Sequence, residues 1–284
     1  MAFSYTQLID YPITDNVHVV KPDDCILYAL SAGLGVNPSD QKQLRYLYED
    51  NLLALPTMAN VIGYPGFWLG EAETGVDWKQ VLHGEQHFEI HSTLPVNTKV
   101  IGKSRVIGIS DKGDKGAFVY MRREIFNTET DQLICTVDQT TVCRGDGGCG
   151  GNDPAPRKLP KVPEREPDGI DEQFIQPSAA LLYRLNGDKN SLHVDPEVAR
   201  QAGYPRPILH GLCTLAHVGH SLLKWGCDYD GTRIKSMGLR FTAPVFPGEH
   251  LRTEIWREDN GLSFQTSVAE REVLVIGNGR MELN

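Results

Sequence analysis

Hydrophobic and polar positions run through the chain twice in a similar order. An apolar stretch with helical spacing comes first in each pass, at 56–62 and again at 208–225. Alternating apolar and polar runs follow, at 87–95, 99–109, 117–126 and 133–144, then at 238–248, 250–258, 262–270 and 273–278. The turns Ser110-Asp111-Lys112-Gly113-Asp114-Lys115-Gly116 and Asp259-Asn260-Gly261 separate neighbouring runs, which predicts antiparallel hairpins. The stretch at 208–225 is apolar over most of its circumference, so a helix there has to be buried on nearly all sides. A curved sheet wrapped around a long central helix meets that demand, and two such units can set their sheets side by side. The reading is therefore α+β, a duplicated helix-in-sheet unit. Tyr28-Ala29-Leu30 lies 155 residues before Tyr183-Arg184-Leu185, which sets the repeat distance.

Between the passes, residues 145–168 are dense in Gly, Pro and charge and have no apolar period. That composition is a linker's. It gives a first unit at 1–147, a linker at 148–173 and a second unit at 174–284. A formal net charge of −9 argues against a nucleic-acid partner and against an anionic membrane. No apolar run reaches the length of a membrane span. The acidic, proline-bearing start is unlike a signal peptide, and six cysteines form no CxxC pair, so free thiols and a cytoplasmic setting are expected. The end, Met281-Glu282-Leu283-Asn284, is unlike a Ser-Lys-Leu peroxisomal address, which leaves the peroxisome as the alternative.

Candidate chemistry is concentrated between 183 and 211. Asn186-Gly187-Asp188 is a tight-turn sequence that exposes a carboxylate. His193 follows five residues later. Asp195-Pro196-Glu197 then reads as a helix start, with Asp at the cap and Pro at the first helical position. Asp188 and His193 thus sit on a pinned loop with the Asn190 amide between them, a plausible acid–base pair for one water. The long helix begins near His210-Gly211, where its first N–H groups lack intrahelical partners and Gly211 admits a substrate oxygen. Singly, each of these residues is ordinary. His217 and His220 are expected to be core or interface histidines rather than metal ligands, and Cys213 a packing residue.

The string Tyr183-Arg184-Leu185-Asn186-Gly187-Asp188-Lys189-Asn190-Ser191-Leu192-His193, with Asp195-Pro196, resembles the hydratase 2 motif of the MaoC-like family. Pro207-Ile208-Leu209-His210-Gly211 resembles the family's helix start, and Val81-Leu82-His83-Gly84-Glu85-Gln86 and Asp111-Lys112-Gly113 carry the likeness into the first half. The resemblance implies a double hotdog fold and reversible hydration of a trans-2-enoyl-CoA to a (3R)-3-hydroxyacyl-CoA. It assigns catalysis to Asp188, His193, Asn190 and Gly211. Acyl-CoA contacts fall on His83, Gly84, Lys112 and Phe241, and supporting roles on Glu49, Tyr183, Asp195 and His210. It implies no metal and no cofactor, CoA being part of the substrate, and a homodimer. Ser191 stands where the motif usually has Pro, Asn186 where a small residue is usual, and Cys149 where an aromatic is common. Three alternatives stay open: dehydration of another 3-hydroxyacyl thioester, thioester hydrolysis, and acyl-CoA binding without turnover. The first half has Ser31-Ala32-Gly33 where the second has Asn186-Gly187-Asp188, so acyl-chain capacity rather than acid–base chemistry is expected of it.

Overall fold

A computed structural model describes residues 3–284. The first half opens with α1 (Tyr5–Ile9), β1 (Asn16–Val20), α2 (Pro22–Ser31) and α3 (Gln41–Leu44). A 3₁₀ turn, Pro56–Asn60, leads to β2 (Val81–Ile90), β3 (Thr98–Asp111), β4 (Ala117–Asn127) and β5 (Leu133–Cys143). The second half has β6 (Gly169–Phe174), α4 (Ala179–Tyr183), α5 (Pro196–Gln201) and α6 (Gly211–Cys227). Four strands complete it: β7 (Ile234–Phe241), β8 (His250–Glu258), β9 (Gly261–Val268) and β10 (Val273–Leu283). All ten strands form one antiparallel sheet in the order β1-β3-β4-β5-β2-β7-β10-β9-β8-β6.

The repeat meets itself at the middle of this sheet, where β2 pairs with β7 in a register that sets His87 opposite Gly238. Tyr28 and Tyr183, repeat partners in sequence, face each other beneath the joint with ring centroids 6.1 Å apart. As expected, α6 is the buried central helix of the second half, with Leu215, Ala216, Val218, Leu222 and Leu223 nearly inaccessible. It stops at Asp228, which takes the left-handed conformation and returns its N–H to the Leu223 carbonyl.

Two expectations are corrected. The apolar stretch at 56–62 does not become a long helix. It is a single 3₁₀ turn, because the chain has to bend sharply at Gly63 (φ +60°), where any β-carbon would stand 2.9 Å from the Cα of Gly102 on β3. The segment read as a linker is also more ordered than its composition suggests. The Asp111 carboxylate accepts from the backbone N–H groups of Gly148 and Gly150, pinning the glycine-rich stretch to the β3–β4 hairpin. Farther on, the chain crosses the joint, where Leu159 packs so close to Gly238 that a β-carbon there would sit 3.0 Å away. Residues 169–174 are β6 itself, paired with β8. All six cysteines are free and buried.

Candidate active site

The dyad loop takes its shape from local chemistry. Gly187 adopts φ +117°, which turns the chain after the short helical segment ending at Asn186. The Asn190 N–H donates to Asp188 Oδ1 at 3.1 Å, and Asn190 Oδ1 accepts from the Leu192 N–H at 3.0 Å, fixing the tight turn that carries His193. Asp195 caps α5 by accepting from Glu197 N–H at 2.8 Å, so its role here is structural. Asn190 likewise spends its oxygen on the turn, leaving the Nδ2 group as its free donor.

The buried His193 ring places Nδ1 2.9 Å from the Ile208 carbonyl. A carbonyl only accepts, so Nδ1 bears the proton and Nε2 keeps its lone pair. Burial holds the His193 pKa below the ordinary histidine value, while the Ile208 carbonyl and Asp188 oppose the shift; at neutral pH the ring is an uncharged base. His210 stacks on it at 3.7 Å and gives Nε2–H to the Asp188 carbonyl at 3.2 Å. Burial first, then the neighbouring His193, push His210 down to about 4. One ligand atom from each of Asp188, His193 and His210 lies within 4.8 Å of the others. The atoms left over are a carboxylate oxygen, His193 Nε2 and His210 Nδ1. That set can hold and polarise a water, and it could also hold a cation.

His210 is the cap residue of α6 and Gly211 its first residue. The Gly211 N–H has no helical acceptor by position and lies at the positive end of a 17-residue dipole. Phe241 of β7 covers this point: a β-carbon at Gly211 would meet its ring at 3.4 Å. The first half completes the site through β2. A bulge at Gly84 interrupts the β2–β5 register, and any side chain there would collide with Val142 and the Thr140 carbonyl. One extra residue turns the next side chain to the other face. His83 therefore shares a face with Gln86, whose Oε1 is 2.7 Å from His83 Nε2, and its ring lies 4.6 Å from Phe241. Burial lowers His83 to about 4, with the Gln86 bond and the Asp188 charge opposing.

Asp188, His193, His210, Gly211, Phe241, His83 and Gly84 are thus brought together, with the buried Tyr183 against His210 at 5.1 Å. Lys112 and Glu49 are not part of this constellation. Lys112 is exposed on the β3–β4 turn with its ammonium 5.6 Å from the Phe118 ring, and Glu49 is an exposed acid after α3. His217 and His220 are buried on α6, as expected. Several residues at the site escaped the sequence reading: the Ile208 carbonyl that fixes the base, Tyr64, and the chain Gln86–Asn60 behind His83. Gln86 carried a signal, lying two residues before the inward Phe88; the Ile208 carbonyl carried none.

Residues 158–278 match the family model "MaoC like domain", and residues 18–145 match "MFE-2 hydratase 2 N-terminal domain". The chain belongs to the MaoC-like hydratase 2 family. The unmatched interval, 146–157, opens the glycine-rich connection between halves. "Enoyl-CoA hydratase 2, peroxisomal" of Arabidopsis thaliana is 36% identical over 96% of this chain and 94% of its own length. "Peroxisomal multifunctional enzyme type 2" of Mus musculus is 35% identical over 91% of this chain, which spans only 36% of that longer protein. Among solved structures, a MaoC-like dehydratase from Phytophthora capsici superimposes with a TM-score of 0.86 at 30% identity, covering 98% of both chains. A Mycobacterium tuberculosis protein described as having a double hotdog fold aligns at 15% identity with a TM-score of 0.60 over the full chain, which supports the same fold.

Proposed function

We propose that this protein adds water across the double bond of a trans-2-enoyl-CoA to give a (3R)-3-hydroxyacyl-CoA, and catalyses the reverse dehydration. One observation carries the reading: a neutral histidine with a free Nε2 and a carboxylate converge beside the unpaired N–H at the start of a buried helix. Hydration needs an oxygen nucleophile at C3, a proton at C2 and relief of negative charge on the thioester oxygen. His193 Nε2 takes a proton from water, Asp188 holds the water's second hydrogen, and the hydroxyl oxygen bonds C3. Electron density moves through C2 to the thioester oxygen, which the Gly211 N–H stabilises. The proton carried by the dyad then passes to C2, so a single water supplies both the hydroxyl at C3 and the hydrogen at C2. Oxidation state is conserved overall, so neither flavin nor nicotinamide is required, and none of the steps calls for a metal.

The names of the relatives support this assignment, including "3-hydroxyacyl-thioester dehydratase Y" of Mycobacterium tuberculosis, 38% identical over 87% of this chain, which names the reverse reaction. The first half, in this reading, binds the acyl group and CoA without catalysing, with His83, Gly84 and Phe241 at the thioester and Lys112 toward the CoA phosphates. A homodimer completes the proposal, and light scattering tests it. The compartment is carried by names on one side and composition on the other: the plant and mouse relatives are called peroxisomal, whereas the sequence suggested the cytoplasm. Imaging the full chain tagged at either end separates the two. The deciding assay for function follows enoyl-thioester absorbance with crotonyl-CoA while monitoring free thiol. Loss of absorbance without thiol supports hydration; thiol release with the double bond intact refutes it.

A further inference from the structure

The inner face of the first half's sheet is not uniformly apolar. Along β4 the inward positions are Val119, Met121, Arg123 and Ile125. Met121 belongs to one apolar core, with Trp68, Val106 and Val119, and Ile125 to the other, with Phe88, Val100 and α6. Arg123 stands between them at 1% exposure. Its register partner on β3 is Ser104, and on its other side the Asn60 carbonyl of the short turn links it to Gln86 on β2, whose Nε2 donates to Asn60 Oδ1 at 2.7 Å. A polar seam thus divides the two cores.

This seam is incompletely satisfied. Arg123 Nη2 donates to the carbonyls of Ala59 and Asn60, at 3.2 and 2.7 Å, but Nε finds no partner among the described residues. Ser104 Oγ is equally buried and equally alone. Among the described residues no carboxylate lies within ion-pair distance of the guanidinium, although the neighbouring Arg122 has Asp138. Burial lowers the Arg123 pKa only to about 10, so the charge is retained at neutral pH. A core built for stability alone does not keep a buried cation without an anion. The seam is also connected to the reaction centre. Tyr64 places its ring 5.5 Å from the guanidinium and senses the charge of Asp188, while Asn60, Gln86 and His83 form a hydrogen-bonded file reaching Phe241 over Gly211.

Resting on the hydratase reading, we propose that the preferred substrate is an enoyl-CoA whose acyl chain ends in a carboxylate, which Arg123 receives together with Ser104. The missing anion of the seam is then the far end of the substrate. Thioester and carboxylate are then held at two fixed points, with the Tyr64 ring beside the guanidinium at 5.5 Å. Charged hydrogen bonds of this kind discriminate by roughly 10- to 100-fold against a methyl end.

The test compares trans-2-enoyl-CoAs with methyl ends against the matching monothioesters of enedioic acids, over four to ten acyl carbons, in the wild-type protein. At one chain length or more, the diacid thioester is expected to have a kcat/KM at least tenfold above its methyl-ended counterpart. Arg123→Met, close in volume and uncharged, should cut that ratio at least tenfold and raise Tm, since it removes an unpaired buried charge. Faster turnover of methyl-ended thioesters at every length overturns the proposal, and this arm needs no variant. So does an Arg123→Met protein of lowered Tm and unchanged ratio, which would make Arg123 only a brace for the Ala59 and Asn60 carbonyls. Should that variant not fold, Ser104→Ala reads the same ratio, and no change in it also counts against the seam. Hydration of neither series would overturn the hydratase reading itself, a different result from hydration without preference.

Discussion

The two halves share the strand order β1-β3-β4-β5-β2 and β6-β8-β9-β10-β7, yet only the second carries the loop that brings Asp188 and His193 together. Aligned on the repeat of 155 residues that separates Ser31 from Asn186, Gly211 corresponds to Pro56. Both residues open a helical segment, but Gly211 offers an N–H at the head of 17 residues, whereas Pro56 has none and heads a turn of 5. Likewise Gly33 stands where Asp188 does, and Ser31 has become a brace whose hydroxyl accepts from Asn186 Nδ2 at 3.0 Å. A hotdog scaffold therefore does not suffice for this chemistry. The proposed reaction uses a carboxylate, an imidazole and an N–H at a helix start together, and at the corresponding positions the first half has Gly33, Pro38 and Pro56. Freed from a central helix, it contributes His83, Tyr64 and the polar seam instead.

The contrast breaks most completely if the dyad is dismantled. Asp188→Asn keeps the side chain's shape and removes its charge, so kcat should fall 10²- to 10⁴-fold with little change in Tm. His193→Ala should cost about as much. The double variant should lose far less than the product of the two, because both act on one water. Activity within about threefold of wild type in either single variant would remove the site assignment.

A sharper version copies the first half into the second. Gly211→Pro deletes a single N–H at a position where Pro suits a helix start, and His210 already has the extended backbone (φ −58°, ψ 136°) that precedes a proline comfortably. The helix should persist by circular dichroism while kcat drops about 10²- to 10³-fold. Full activity in a folded variant would show that the oxyanion is held elsewhere.

Acid should act on stability as well as on rate. His83, His210 and His220 are lowered to about 4, and His217 to about 3, chiefly by burial. A folded state that resists protonation binds fewer protons than the unfolded chain between those values and about 6.5. Stability is therefore full above about pH 6.5 and is lost as the pH falls toward 4. Denaturant titrations across this range should show it, and a flat profile would mean these rings charge freely. The acidic limb of kcat/KM should fall below the ordinary histidine value, because His193 must stay neutral.

The smallest effect concerns a residue outside the cluster. Lys112→Ala should raise KM for CoA thioesters several-fold at low salt and flatten its salt dependence, as for an exposed point charge. An unchanged KM at low ionic strength would return Lys112 to the role of a solvated turn residue.

The loop that brings Asp188 and His193 together was legible because it is local: its turn at Gly187, its spacing and its Asp195 cap are all written in adjacent residues. The hairpins were legible for the same reason, and β8 begins and ends where alternation placed it, at His250–Glu258. Sequence thus determined most of the elements and the short loop that carries Asp188 and His193 together. It did not reveal that 56–62 fails to become a helix, since its apolar pattern suits either outcome and the close approach of Gly63 to Gly102 decides. Nor did it show Arg123 as a buried cation among apolar inward positions, the bulge that turns His83 toward the dyad, or the Ile208 carbonyl that selects the tautomer. Those depend on which backbone atoms from distant segments come within a hydrogen bond of each other. Such distances are set by how the two halves of one ten-stranded sheet meet at the β2–β7 joint and by the loops packed against it, and no periodicity along a single chain encodes them.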